Sequence, residues 1–294
     1  MSYSPRTGLV YLPAQEAGFL YVAEKKFSPK ELAFNAGIDA AAASLPQDAE
    51  IKKAIMASLK GYLTAWDPVN QKEVWRVQHQ GPWNGGVLST AGNLVVQGIA
   101  TGDFAIYRAD TGEKLWSMPV QTGVVAPPVS YAVKGEQYIA VLAGWGGVFA
   151  TTPGELSKKS GATRNISRVL AFKLGGKASL PPPPPLAEPP ELTPPAQTAD
   201  GATVEAGKAL YHSFCVTCHG DAAASGGLVP DLRYSAFLEG EVWFDIVLGG
   251  TLEEAGMISF AKNLDRDQVS AIRAYVIERA HQTKAELELA HEPE

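Results

Sequence analysis

The apolar residues follow two different patterns along the chain. In the first part, short runs of β-branched and aromatic residues are bounded by Gly, Pro or Asn, which is typical of strands. Beyond residue 200, apolar residues recur every three to four positions, which is typical of helices. The pattern predicts strands at 8–12, 19–22, 93–97 and 138–142, and helices at 204–212, 241–248 and 265–280. We therefore expect a mostly β first part and a helical second part.

A proline-rich stretch separates the two parts. Five consecutive prolines occupy 181–185, inside a longer segment rich in Pro, Ala, Glu and Thr. Such a run cannot form helix or sheet and favours an extended, semi-rigid spacer. We expect these domains: the β part at 1–174, the linker at 175–200, the helical domain at 201–283 and an acidic tail at 284–294.

The β part contains an internal repeat. Similar segments end at Trp75 and at Trp116, 41 residues apart. A period of about 40 residues with several short strands is typical of a β-propeller blade; the alternative is a chance likeness of two hairpins. The strand predicted at 168–174 stops before a tryptophan, as expected of a strand that closes a ring. The segment 24–60, rich in Ala and Lys, is interpreted as a partly helical surface insertion between blades, without chemistry.

The helical part holds both cysteines of the chain, Cys215 and Cys218, directly before His219. Two thiols at this spacing can bond the two vinyl groups of one haem, and the adjacent histidine can bind its iron. A redox-active dithiol is an alternative that does not need the histidine. A zinc site is another, and it needs two further ligands. The histidines left in this part are His212, His281 and His291.

A second iron ligand is predicted downstream. Met257 is the only methionine beyond the cysteines and follows a loop-like glycine. A thioether opposite a histidine raises the potential of a haem, whereas the alternative is a packing role. The segment around Pro230 resembles the proline-containing segment on the histidine side of the haem in class I cytochromes c. Pro230 is therefore a candidate to position His219, with a plain turn as the alternative.

Charge and hydropathy narrow the class of protein. Residues 201–294 carry 7 Lys or Arg against 15 Asp or Glu, a balance of −8, whereas residues 1–200 carry +2. An acidic domain argues against nucleic acid and suits a basic partner; the alternative is that it only keeps the surface soluble. No stretch approaches the roughly 18 apolar residues of a membrane span. The start of the sequence lacks signal-peptide features, although haem attachment points to the periplasm.

These features together resemble the C-terminal portion of a type II quinohaemoprotein alcohol dehydrogenase, a PQQ-dependent enzyme with a fused cytochrome c domain. The resemblance covers nearly the whole chain. It rests on MSYSPRTGLVYLPAQ at the start, GPWNGG at 81–86, LVVQG at 94–98, TGEKLW at 111–116, AGWGG at 143–147, CVTCHG at 215–220 and GMISF at 256–260.

The resemblance implies the last blades of an eight-bladed propeller followed by an all-α class I cytochrome c domain. Haem c, PQQ and calcium are the implied cofactors. In the family, tryptophans such as Trp75 and Trp116 dock neighbouring blades. The catalytic Asp, the calcium ligands and most PQQ contacts lie upstream, so we expect no catalytic residue in this chain. The candidate PQQ contacts, with a surface turn as the alternative, are Trp145, Gly146, Trp83 and Asn84.

The expected function is therefore the electron-output part of a PQQ-dependent alcohol dehydrogenase, from a truncated or split gene product. Its expected partners are the missing N-terminal propeller portion, an alcohol, and an acceptor such as a small copper protein, a cytochrome or a quinone. One alternative is a stand-alone electron-transfer cytochrome with a propeller-derived docking domain. Another is a propeller-type binding module with a haem sensor.

Overall fold

The chain forms two compact units. The computed structural model describes residues 1–29, 31–32, 35–161, 164–185 and 190–290. The first unit comprises Met1–Gly18, Gln47–Ala150 and Leu156–Leu186, and the second comprises Phe19–Pro46, Thr151–Glu155 and Ala187–Glu294. Two pieces of the predicted β part, 19–46 and 151–155, are thus grouped with the helical part.

The first sheet contains four antiparallel strands in chain order: β1 (Ser2–Ser4), β2 (Leu9–Glu16), β3 (Lys60–Asp67) and β4 (Lys72–His79). Strands β2 and β3 pair directly, with Pro13 opposite Leu63. The segment 24–60 therefore interrupts a single sheet, and its predicted place between blades is wrong. The pattern marks an interruption but does not show which strands it joins. Its helical part is α1 (Ala49–Ser58), which begins at an Asp48 cap.

No strand forms at 19–22, where the prediction is wrong. The side chains of Phe19, Leu20 and Tyr21 are all more than half exposed. The backbone forms only an isolated antiparallel bridge just beyond them among the residues described, between Ala23 and Ile38. Apolar β-prone residues form a strand only where a partner supplies backbone hydrogen bonds.

The second and third sheets follow in sequence. The second contains β5 (Val87–Thr90), β6 (Leu94–Gly98), β7 (Asp103–Arg108) and β8 (Lys114–Pro119), again in chain order. In the part of the chain that the structure describes, the third has three strands, β9 (Val129–Val133), β10 (Glu136–Ala143) and β11 (Arg168–Phe172), with β10 in the middle. The strands predicted at 8–12, 93–97, 138–142 and 168–174 are confirmed as β2, β6, β10 and β11.

The sequence repeat is also a repeat of strand register. Ala65 lies opposite Trp75 in the first sheet, and Ile106 lies opposite Trp116 in the second. A bulge follows immediately in both, after Ala65 and after Ile106. A bulge changes the direction of a strand in a defined way. Because both hairpins have a bulge at the equivalent position next to the equivalent tryptophan, their similarity is not a coincidence.

The three sheets stack face to face. Alternate residues of the second sheet point to opposite sides, as strand geometry requires. Val95 and Ala105 belong to the apolar cluster shared with the first sheet, whereas Val96 and Phe104 belong to the cluster shared with the third. The Phe104 ring stacks on Phe172 of β11, with centroids 4.8 Å apart. The inner strands β6 and β7 of the second sheet are thus buried on both faces.

Trp75 joins the first sheet to the second. Its indole Nε1 donates to the Ala109 carbonyl at 3.0 Å, and its ring lies 5.7 Å from that of Tyr11. The ring rests on Gly112, which has φ +76; a Cβ there would come within 2.7 Å of the indole. Trp116 is 41% exposed and meets Phe172 edge-on at 5.8 Å.

A buried polar contact also crosses from the first sheet to the second. His79, at the end of β4, faces Gln97 of β6 with 3.0 Å between Nε2 and Oε1, and the Gln97 amide donates to the Gly85 carbonyl at 3.0 Å. Burial lowers the pKa of His79, and the nearby Lys114 charge lowers it further, although the Gln97 hydrogen bond opposes the shift. The imidazole is therefore held in its neutral form.

The second unit is built on two long helices. It contains α2 (Gly201–Phe214), α3 (Val216–His219), α4 (Val242–Val247) and α5 (Arg266–Ala290). The helices predicted at 204–212, 241–248 and 265–280 are confirmed, and α5 continues through 284–290, which the prediction assigned to an acidic tail. Residues 291–294 lie outside the described residues. No helix in the described part of the chain is long and apolar enough to cross a membrane.

The described parts of the predicted linker, 175–185 and 190–199, contain neither helix nor strand; residues 186–189 lie outside the described ranges. Both parts are held by hydrogen bonds. Gln121 donates to the Pro181 carbonyl at 3.0 Å, and Gln197 donates to the Ala274 carbonyl at 2.9 Å. The prolines favour an extended backbone, and these contacts hold the linker at Pro181 and at Gln197.

Replacing Trp75 by Phe should lower the free energy of unfolding by about 1 kcal/mol, because the ring remains but the Ala109 carbonyl loses its donor. Gly112→Ala should cost more, about 2 kcal/mol, since it adds both a clash and a disfavoured φ. Urea unfolding of the full chain measures both. Trp116→Phe is the matched control and should change stability by under about 0.5 kcal/mol; an equal loss from both tryptophans would contradict the different roles seen for them.

His79 should make stability depend on pH. The unfolded chain takes up a proton near the ordinary histidine pKa of about 6.5, whereas the folded form resists it. The contribution is therefore fully present above about pH 6.5 and is lost as the pH falls toward the lower folded pKa, with a slope of at most about 1.4 kcal/mol per pH unit. His79→Gln keeps a donor for Gln97 and cannot titrate. Unfolding curves of the two proteins should diverge below pH 6.5, and parallel pH profiles would show that His79 is not the group responsible.

Candidate haem site

Helix α2 carries the chain to the cysteine motif. Asp200 caps it by accepting from the Thr203 N–H at 2.8 Å. At Gly207 the helix lies so close to α5 that a Cβ would overlap the Ala271 carbonyl, so only glycine permits this crossing. The Tyr211 hydroxyl, fully buried, donates to the Gly220 carbonyl at 2.7 Å. The end of α2 and the residue after the motif are thereby fixed to one another.

The motif forms a single helical turn. The amides of Cys218 and His219 both donate to the Cys215 carbonyl, at 3.2 and 3.0 Å. Residues i and i+3 share a helix face, so both sulfurs lie on the same side. Both thiols are free, with Cys215 half-buried and Cys218 exposed.

The environment of Cys215 separates the competing chemistries. Burial, with a smaller effect of Cys218, raises the pKa of the Cys215 thiol to about 12. A redox-active dithiol needs a thiol with a lowered pKa, so that the thiolate can attack. The pKa of Cys215 is raised instead. A buried neutral sulfur suits a thioether, which carries no charge. The described residues contain no group of three His, Cys, Asp or Glu able to hold a metal ion, so they show no zinc site.

His219 has one ring nitrogen engaged by the backbone and one that could ligate a metal. Its Nδ1 faces the Pro230 carbonyl at 3.5 Å, which leaves Nε2 for a metal. Desolvation lowers the pKa of His219, against the Pro230 hydrogen bond and the Asp231 charge. The neutral imidazole is the form that coordinates metals. The donor set of two sulfurs on one side of a helical turn and an oriented imidazole therefore fits a covalent haem.

Met257 lies on a short loop whose shape requires glycine. Gly256 has φ +95, a conformation that other residues adopt only with strain, and the Met257 amide donates to the Leu252 carbonyl at 3.1 Å. The half-buried Met257 side chain packs on the same apolar cluster as Cys215. The structure thus brings the predicted thioether ligand and one of the predicted attachment cysteines to one core.

The sequence reasoning missed two partly buried acids that follow His219. Asp221, two residues after it, accepts from His212 Nε2 at 2.8 Å and from the Leu45 amide. Asp231, next to Pro230, forms a forked ion pair with Arg233. Their only signal in the sequence is the closeness of charged residues to the motif and to Pro230, since burial is set by segments distant in sequence.

The four residues predicted to contact PQQ lie in the first unit. Trp83 stacks on Phe149 at 5.7 Å, and Trp145 meets the same ring edge-on at 6.5 Å. Trp145 is only 4% exposed. Asn84 donates to the Gly81 carbonyl at 2.9 Å and accepts from the Ala100 amide at 3.2 Å, so it shapes its loop. Gly146 has open space where a Cβ would be. The structure gathers the two tryptophans around one phenylalanine but leaves their predicted role untested.

Fold and site together define a class of protein: stacked propeller-type sheets and a unit with the attachment geometry of a c-type cytochrome, in one chain. Family models agree. "Glucose/ethanol/alcohol dehydrogenase, beta-propeller domain" matches residues 47–139, and "Cytochrome C oxidase, cbb3-type, subunit III" matches residues 202–276.

Relatives identify the family. The dehydrogenase subunit of alcohol dehydrogenase (quinone) from Komagataeibacter europaeus is 41% identical over 96% of this chain. Quinohemoprotein alcohol dehydrogenase ADH IIB from Pseudomonas putida is 45% identical over the same share. The solved structure of ADHIIG from Pseudomonas putida HK5 superposes with a TM-score of 0.85, at 42% identity over 97% of this chain. The predicted resemblance is confirmed: nearly the whole chain is related to quinohaemoprotein alcohol dehydrogenases. It spans 38%, 40% and 41% of the lengths of these three proteins.

Cys218→Ser should reduce covalent haem attachment, because only the Cys215 sulfur remains to bond a vinyl group. The pyridine haemochrome spectrum measures this, since its α-band moves to longer wavelength when one vinyl group stays unsaturated. Thr217→Ser lies between the cysteines, keeps both sulfurs and should attach haem normally. An unchanged α-band and haem content in Cys218→Ser would rule out the attachment site.

Proposed function

We propose that this chain is the electron-output part of a PQQ-dependent alcohol dehydrogenase. One observation carries the proposal: propeller-type sheets and a thiol, histidine and methionine set suited to haem c occur in one chain that is related over nearly all its length to quinohaemoprotein alcohol dehydrogenases. The three sheets are then the last blades of an eight-bladed propeller, with 1–174 as the propeller part and 175–200 as the linker. Residues 201–283 are an all-α class I cytochrome c domain, followed by the tail at 284–294.

At the haem site the chain's own residues supply attachment and orientation. A haem held here would accept and release one electron at a time. Cys215 and Cys218 would bind it covalently, and His219 would ligate the iron through Nε2 while its Nδ1–H donates to the Pro230 carbonyl. Met257 would be the second axial ligand, which favours a high potential and hence electron acceptance.

Near the quinone, this chain is proposed to contribute residues that line the pocket and no catalytic residue. The low exposure of Trp145 and the satisfied amide of Asn84 suit residues that shape a pocket. Together with Gly146 and Trp83 they are proposed to lie near PQQ. The catalytic Asp and the calcium ligands are proposed to belong to the upstream portion, so none is assigned here.

The first partner we propose is that upstream portion. In its support, the third sheet exposes apolar side chains on its outer strands, each at least 41% accessible: Val129, Tyr131, Val133 and Val169. An apolar sheet face is stable in water only when another layer covers it. An alcohol would be the substrate. The acceptor, a small copper protein, cytochrome or quinone, would meet an acidic domain in the periplasm.

A chimera tests the proposal. The upstream portion of the Pseudomonas putida relative would be fused to this chain and supplied with PQQ, calcium and ethanol. Ethanol should make the haem α-band of the reduced form appear in the chimera but not in the isolated chain, which lacks a catalytic base. Met257→Leu in the chimera should keep the covalent haem at a lower midpoint potential.

Two results would contradict the proposal. A chimera that binds PQQ and covalent haem, yet never reduces the haem with ethanol, would leave the stand-alone electron-transfer cytochrome as the better interpretation. Reduction by ethanol in the isolated chain would show that the catalytic machinery lies within these residues.

A further inference from the structure

A five-residue segment from the β part of the sequence, 151–155, contacts the haem-binding motif inside the second unit. The Thr152 hydroxyl donates to the Thr217 carbonyl at 3.1 Å, and the Thr152 carbonyl accepts from the Asp221 amide at 2.9 Å. Gly154 has φ +57, and a Cβ there would come within 2.6 Å of the Asp221 carbonyl. At Gly154 the two backbones therefore lie too close together for a side chain to fit between them.

The segment ends on an ion cluster with a buried centre. Glu155 Oε1 lies 3.0 Å from Arg233 Nη1, while Arg233 Nε and Nη2 fork onto the two oxygens of Asp231 at 3.0 and 2.8 Å. The Arg233 side chain is only 3% exposed. Burial acts to lower the pKa of Arg233, but the hydrogen bonds and charges of Asp231 and Glu155 raise it above its ordinary value. Arg233 therefore stays positively charged between the two carboxyl groups.

The cluster fixes the turn that faces the iron ligand. Asp231 also accepts from the amides of Ser225 and Arg233, both at 3.1 Å, so its position determines the path of the turn. Pro230 directly precedes it, and the Pro230 carbonyl is the group that faces His219 Nδ1. A change at Glu155 can therefore reach His219 through Arg233, Asp231 and Pro230, without contact between Glu155 and the haem.

We propose that Glu155 is a positioning residue for the iron ligand His219, acting through the Arg233–Asp231 ion pair on the Pro230 carbonyl, and that its charge helps set the potential of the haem. The proposal rests on the haem site proposed above. Partners of a ligating histidine tune the basicity of the ligand and the potential of the metal. A negative charge in a poorly solvated cluster stabilises the oxidised, more positive iron.

The first measurement is the midpoint potential of the haem-loaded full chain. Glu155→Gln keeps an oxygen for Arg233 but removes the charge, so the potential should rise. The shift should persist at high salt, because a partly buried charge is screened less than an exposed one. Glu241→Gln is the matched control: it removes the same charge from the same unit, but the Glu241–Arg266 pair is exposed, and no shift that survives high salt is expected.

The second measurement follows the His219 Nδ1 proton in the reduced protein by NMR. Glu155→Ala releases one side of Arg233, so exchange of this proton with water should become severalfold faster than in the parent chain. If Glu155→Ala does not fold, the midpoint potential of the Glu155→Gln variant alone tests the proposal, because this substitution preserves the shape of the side chain.

Three outcomes are distinguishable. A raised, salt-resistant potential in Glu155→Gln supports the positioning role. An unchanged potential in a variant that carries covalent haem overturns it, even if the variant is less stable, since a purely structural role would change stability alone. Failure of the parent chain to attach haem would instead refute the function proposed for the site.

Discussion

The structure depends on one constraint: a sheet with two apolar faces is stable in water only when another sheet covers each face. The second sheet satisfies it, because Val95 and Ala105 face one neighbour and Val96 and Phe104 face the other. The strand register, the bulge beside each tryptophan and the glycine beneath Trp75 all serve this stacking. The third sheet has a covered face and an exposed one, and this asymmetry is why a further layer is proposed to complete it.

In the helical unit, the main structural requirement is a fixed position for the cysteine–histidine motif. The segment from Cys215 to His219 is a single helical turn with few hydrogen bonds of its own. Its neighbours therefore supply the order, through Tyr211 on Gly220, Thr152 on Thr217 and the Pro230 carbonyl on His219. Burial raises the pKa of the Cys215 thiol and lowers that of His219, so both groups are kept neutral. Neutral sulfur and neutral imidazole are the states that a covalently attached, iron-ligating site requires.

The haem site is also surrounded by charged groups outside the cysteine–histidine motif. Asp221 and Asp231 both follow His219 in the sequence. Asp221 accepts from the Leu45 amide of a distant segment, and Asp231 pairs with Arg233, which Glu155 of another distant segment also contacts. Glu155 belongs to the β part of the sequence, yet the ion pair it makes lies in the helical unit. A boundary drawn where the composition changes, near residue 174, therefore does not coincide with the division into compact units.

The sequence by itself determined the local elements and the chemistry. Several features depend only on neighbouring residues and could be predicted without a structure. They are the spacing of Cys215, Cys218 and His219, the tryptophan repeat, and the helical periodicity of α2, α4 and α5. Only the tertiary structure decided that 24–60 interrupts one sheet, that 19–22 forms no strand and that 151–155 belongs to the haem-binding unit. Each of these depends on a partner far away in the chain, and the free energy of pairing or burial appears only when that partner is in contact.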